Sequence, residues 1–134
     1  MQFAGAAWRI SAQALQACLN KSPRLHRELL LGVGSFVVRL SLTSWAHGRG
    51  TIEQRLAGWL LTAGDCLDTD RITITHQALS EALGVRRPSV TLALQALDGK
   101  RAVRSQRGYV RILDGQRLAA AAGGYFLSSA TLGS

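Results

Sequence analysis

At 134 residues and 47% hydrophobic content, the chain has room for one domain with an appendage, and its composition excludes global disorder. A formal net charge of +8 favours an anionic partner, nucleic acid ahead of acidic lipid. Cys18 and Cys66 share no close spacing with each other or with a histidine cluster, which argues against a disulfide framework, a structural zinc site or any other metal centre, and fits two free thiols in a reducing cytoplasm.

Residues 1–20 hold a short apolar piece around residues 6–10 and then a helix, with Ser11 as N-cap and Ala14, Leu15, Cys18 and Leu19 at helical spacing. Ser22-Pro23 starts a second helix, Ser22 capping and Pro23 in the first turn, expected to run to about Ala46. Along it His26, Leu29, Val33, Phe36, Leu40, Thr43 and His47 fall at alternating steps of three and four, with Leu30, Val37 and Ser44 alongside. A stripe this broad must be covered, either within the chain or by a second helix across a two-fold axis. The second option is favoured because the remaining chain offers little to cover it; Leu29, Val33, Phe36 and Leu40 are then the dimerisation residues. Gly32 and Gly34 weaken this helix by roughly 1 kcal/mol each relative to alanine. His26 and His47 are read as packing or surface residues rather than metal ligands. No apolar run of membrane-spanning length is expected, and the N-terminus lacks a signal-peptide pattern.

Residues 48–50 form the expected hinge. Thr51 caps the next helix with Glu53 and Gln54 near the capping-box position, and Ile52, Leu56, Trp59, Leu60 and Ala63 make its buried face. Arg55 is either a buried ion-pair partner or a surface charge. Gly64-Asp65 is expected to end the helix, with Asp68-Thr69-Asp70 in a loop. Ile72-Thr73-Ile74-Thr75 alternates and is β-branched, the pattern of a short strand, and Thr75 also stands where a helix N-cap belongs.

Residues 75–97 read as two short helices joined by a tight turn. Ala78, Leu79, Ala82 and Leu83 give the apolar face of the first, and Gly84 supplies a left-handed stop. Pro88 suits the opening turn of the second, whose inner face is Val90, Ala93, Leu94 and Leu97. Arg87, Ser89, Thr91, Leu92 and Gln95 are left toward the other side. This is a helix-turn-helix, a motif whose second helix enters the DNA major groove with its N-terminal residues leading. From Gly84 to Arg111 there are seven cations (Arg86, Arg87, Lys100, Arg101, Arg104, Arg107 and Arg111) against Asp98 alone, a pattern suited to phosphate neutralisation. Residues 102–105 and 109–113 can pair as a hairpin about Gln106-Arg107-Gly108, a wing with Arg107 at its tip. Asp114 caps a last short helix that Gly123-Gly124 stops, and residues 126–134 form a flexible tail.

The order of these pieces resembles the Crp/Fnr family of bacterial transcription regulators. The resemblance rests on Gln54-Arg55-Leu56-Ala57 with Trp59-Leu60-Leu61, on Thr75, Gln77, Leu79 and the run Leu83-Gly84-Val85-Arg86-Arg87-Pro88-Ser89-Val90-Thr91, and on Arg107-Gly108, Ile112-Leu113-Asp114 and Tyr125. It implies a mainly α fold with a small β wing: a long dimerisation helix (residues 21–47), the hinge, and a winged helix-turn-helix DNA-binding domain (residues 51–125). Residues 1–20 correspond to the end of the family's cyclic-nucleotide-binding β-roll and the helix after it, from which no nucleotide pocket can be built, so no cofactor or cyclic nucleotide is expected for this chain. The resemblance also implies phosphate contacts from Thr75, Gln77, Arg86 and Ser89 and base reading by Arg87, whose guanidinium can donate two parallel hydrogen bonds to guanine. Thr91, Gln95 and the wing residue Arg107 complete the expected DNA-binding set. Pro88 and Leu92 stand where relatives carry polar base-reading residues, and Arg101 and Ala102 where relatives have glycine and a large apolar residue.

The function expected is therefore a cytoplasmic, homodimeric, sequence-specific regulator of transcription bound to double-stranded DNA, with RNA polymerase as a further candidate partner and no membrane association. The alternative is a non-sensing, heterodimerising interaction module with weak or no DNA binding. No nucleophile–base pair, metal-ligand spacing or phosphate-binding glycine loop points to an enzyme.

Overall fold

The computed structural model of the chain describes residues 7–124, the Ala46 side chain excepted. Tyr125, the predicted tail and the first residues of the N-terminal apolar piece lie outside the described residues. The chain forms two units, Met1–Phe36 and Val37–Ser134.

The first unit contains helix α1 (Ala12–Lys21), begun by Ser11, whose Oγ accepts a hydrogen bond from the Ala14 N–H at 3.2 Å. Helix α2 (Pro23–Arg49) starts in this unit, the Ser22 Oγ accepting from the Leu25 N–H at 3.2 Å. None of the described residues of this unit is buried. Two expectations for α2 are corrected. It runs through Gly48 to Arg49, so the break before the next helix narrows to Gly50 and Thr51. It is also long and apolar enough to cross a bilayer by length and composition, with a mean hydropathy of 1.5 over its best 18-residue window, because Arg39 is the only charged residue between Glu28 and Arg49, histidine aside.

The second unit is built on helix α3 (Ile52–Leu67). Thr51 and Gln54 close a reciprocal capping box: the Thr51 Oγ1 accepts from the Gln54 N–H at 3.2 Å, and the Gln54 Oε1 accepts from the Thr51 N–H at 2.8 Å. Leu56, Leu60 and Ala63 are buried as expected, whereas Ile52 and Trp59 are half-buried. The predicted stop at Gly64 is wrong. The helix continues to Leu67 and ends on Asp68 in a left-handed conformation, φ +49°. Gly64 is small for another reason: a Cβ there would meet Ile112 Cδ1 at 3.1 Å and the Thr69 carbonyl oxygen at 3.2 Å. Arg55 is neither of the two alternatives posed for it. Its Nη2 donates to the Leu83 carbonyl at the end of the following helix and lies 3.2 Å from His47 Nδ1. Partial burial, and then the Arg55 guanidinium, hold the His47 pKa below its ordinary value.

Strand β1 (Arg71–Thr73) leads into helix α4 (His76–Leu83), which Gly84 stops at φ +62°. Helix α5 (Arg87–Gly99) follows after Val85 and Arg86. Strands β2 (Val103–Gln106) and β3 (Tyr109–Ile112) make the expected hairpin, with Gln106 opposite Tyr109. The sheet has three strands in the order β1-β3-β2, all antiparallel, because Ile72 pairs opposite Val110. Helix α6 (Gly115–Ala122) is capped by Asp114 and stopped by Gly123. α3 packs on α5 and α6, and α4 on α5. The core they enclose includes Leu56, Leu60, Leu79, Leu94, Leu97, Val110 and Leu118, each at most 1% exposed. This is a mainly α fold with a small sheet, a winged helix-turn-helix.

Between α5 and the wing, Arg101 adopts φ +56°. Its N–H donates to the Asp98 carbonyl at 2.8 Å, and the fully buried Ala102 accepts from the Leu113 and Asp114 N–H groups at 2.9 and 3.2 Å. The wing is therefore seated by backbone hydrogen bonds around a strained residue. Arg101→Gly is expected to stabilise the domain by about 1 kcal/mol, the cost of a Cβ in the left-handed region, and to raise the thermal midpoint by about 4–8 °C in a denaturation scan.

Candidate nucleic-acid interface

Two helix starts and one turn meet on one face. Thr75 opens α4, its Oγ1 accepting from the Ala78 N–H at 3.1 Å. Arg86 opens α5 in an extended conformation, with no side-chain cap. The partial positive charge of that helix end is thus left uncompensated beside two arginines, an arrangement that attracts anions. The wing turn presents Arg107 followed by Gly108 at φ +84°. Thr75, His76, Gln77, Arg87, Gln106, Arg107 and Gly108 line one solvent-open cleft. A neighbouring groove runs between α5 and β2, lined by residues that include His76, Thr91, Gln95, Asp98 and Ser105.

Of the eight expected DNA-binding residues, Thr75, Gln77, Arg87 and Arg107 share the first cleft, and Thr91 and Gln95 line the second. Arg86 and Ser89 stand outside both, in the opening turn of α5, the first exposed and the second half-buried. Besides Thr75, which caps α4, two of the set have prior commitments. The Gln77 Nε2 donates to Glu81 Oε1 at 2.8 Å. The Thr91 hydroxyl donates to the Arg87 carbonyl at 3.3 Å and lies 3.2 Å from His76 Nδ1. Among the expected dimerisation residues, Leu29, Val33, Phe36 and Leu40 are all exposed, Phe36 by 65%.

The seven cations counted along the sequence separate in space. Lys100 pairs with Glu53 at 2.5 Å, Arg104 with Asp98 at 3.7 Å and Arg111 with Asp70 at 2.9 Å. These pairs are exposed and contribute little stability, but they partly cancel charge on their own faces. Arg86, Arg87 and Arg107 have no carboxylate partner among the described residues. Arg101, between α5 and β2, likewise has none among the described residues, so the uncompensated charge lies there as well as at the start of α5 and the wing turn.

His76 is the contributor that sequence reasoning missed. Its Nδ1 lies 3.2 Å from Thr91 Oγ1 on α5, and its Nε2 lies 3.4 Å from Ser105 Oγ on β2. One ring thus spans the helix-turn-helix and the wing, and it lines both clefts. The only local signal was its position directly after a capping threonine; its partners are 15 and 29 residues away.

The model of the Crp-like helix-turn-helix domain matches residues 54–121, just over half of the chain. The chain belongs to the Crp-like helix-turn-helix family. The matched range of this Crp-like domain begins at the capping-box residue Gln54 and takes in both helix starts, the wing and both clefts; α1 and α2 precede it. Among solved structures, the chain is similar to a protein from Eubacterium rectale described as a transcriptional regulator of the Crp/Fnr family, with 25% identity over 87% of this chain and 54% of that one, and a TM-score of 0.57. It is also similar in fold to a CRP-family transcriptional regulator from Thermus thermophilus, with 21% identity over 90% of this chain and 59% of that one, and a TM-score of 0.63. The catabolite activator protein of Thermus thermophilus shares the fold at 23% identity over 84% of this chain and 53% of that one, with a TM-score of 0.51. The chain thus spans little more than half the length of these solved relatives. No curated protein matches it.

Proposed function

We propose that this chain is a sequence-specific, double-stranded-DNA-binding regulator of transcription, acting in the cytoplasm as a homodimer with α5 in the major groove. The observation that carries the reading is the convergence of Arg86, Arg87 and Arg107, all without carboxylate partners among the described residues, on the uncapped start of α5. In this reading Thr75, Gln77, Arg86 and Ser89 hold phosphates, and Arg87 reads guanine. Gln95 faces the bases, Thr91 offers its methyl group, and Arg107 reaches a phosphate beyond the groove. Contact with RNA polymerase falls under the same proposal.

Homodimerisation is supported by the exposed stripe Leu29, Val33, Phe36 and Leu40 on α2, spaced for a helix pair. Two recognition helices would then enter successive major grooves about 34 Å apart. A second reading also has an observation behind it. Leu30, Leu31, Val37 and Val38 beyond the stripe are exposed too, so α2 can be covered by the helix of a longer relative, giving an interaction module.

Selection of bound duplexes from a random pool at two salt concentrations tests these readings together. The expected result is a two-fold-symmetric consensus whose binding weakens steeply with salt. Co-purification of a longer partner with no duplex retained at low salt would favour the module instead. A chain that sediments with membranes and needs detergent would make α2 a bilayer span and remove the soluble homodimer.

A further inference from the structure

Among the described residues of the winged domain, Leu92 is the most exposed large hydrophobic residue, 66% open to solvent. It takes no part in the inner face of α5, which is Val90, Ala93, Leu94 and Leu97. It belongs instead to the exposed stripe Pro88, Leu92, Gln95 and Gly99, at steps of four, three and four residues. On α5 its near polar neighbours are Thr91, one residue before it, and Gln95, three residues after it. An isolated apolar side chain here adds nothing to the fold, so what would cover it decides its use. The charge of this face, set by Arg86, Arg87 and Arg107, is complementary to a duplex. In the major groove, the apolar group that bases display is the C5-methyl of thymine.

We infer that Leu92 is a specificity-determining residue that reads the C5-methyl group of thymine, one such base in each half-site. The inference rests on the proposed DNA reading and adds to it. Arg87, one turn and a half nearer the start of α5, supplies hydrogen bonds to a base edge. Leu92 supplies the apolar contact that a relative with a polar residue at this position cannot make. The Thr91 hydroxyl next to it is committed to the Arg87 carbonyl and to the His76 ring.

The test uses the full chain and the duplex recovered by selection, with each thymine replaced in turn by deoxyuridine, which removes only the methyl group. Binding is expected to weaken about fourfold at one symmetric pair of positions, about the worth of burying one methylene-sized group at each. With Leu92→Ala that sensitivity should vanish, while binding to the uracil duplex stays within about twofold of the original chain's; circular dichroism of this surface variant confirms that it is folded. Replacing the same thymine with 5-methylcytosine should weaken binding less than replacing it with cytosine. Uniform tolerance of uracil, or a uracil effect that persists in Leu92→Ala, overturns the inference while leaving DNA binding intact. Absence of salt-dependent binding to the unmodified duplex defeats the DNA reading itself, and the inference with it.

Discussion

Arg87→Ala is expected to flatten the preference for one base pair in each half-site, at a cost of about 1–3 kcal/mol in discrimination. The guanidinium is exposed, lines the cleft at the start of α5, and has no carboxylate partner among the described residues, so its hydrogen-bonding capacity is available to a base. For the same reason its removal should leave thermal stability within about 0.5 kcal/mol, the usual range for a surface change away from special features. Affinity measured against a set of duplexes, each altered at one position, reads the effect directly. Equal loss on every sequence with a shallower salt dependence would instead make Arg87 a phosphate contact.

Leu97→Ala should have the largest effect on the fold. Leu97 is fully buried on the inner face of α5, the helix that packs on α3, α4 and β2. Truncation removes transfer energy and leaves a cavity, a loss of about 2–5 kcal/mol. Small domains have only about 5–15 kcal/mol of net stability, so the thermal midpoint should fall by about 10 °C or more. DNA binding measured well below the new midpoint should persist, since Leu97 touches nothing on the outer face. A melt shifted by less than about 3 °C would mean that the α5 packing relaxes around the gap.

What was legible in the sequence was local. Ser11, Thr51, Thr75 and Asp114 each cap a helix through an N–H three residues away, and such a signal needs no knowledge of the fold. The helix-turn-helix likewise lies in one short run, with its glycine stop and its proline start. The errors came where distance along the chain matters. Gly64 looked like a terminator because its role is set by Ile112, on a strand that returns from the far side of the domain. The cation count overstated the basic face because Glu53 and Asp70 reach it from outside the segment that was counted. Arg55 and His76 act on partners 28 residues and 15 or 29 residues away, and no spacing rule anticipates either. The apolar length of α2 is masked in the sequence by Arg39, which stands inside an otherwise uncharged run.

The link between α4 and α5 is only Gly84, Val85 and Arg86, with Gly84 held in a left-handed turn and the Val85 N–H bonded to the Ser80 carbonyl at 3.0 Å. Such a corner has no slack. An inserted or deleted residue there would shift the start of α5 from its seat against α4. On the proposed reading, new DNA targets are therefore open to this scaffold by exchange of outward-pointing side chains and closed to it by changes in loop length. The corner makes the reading head interchangeable in chemistry and fixed in aim.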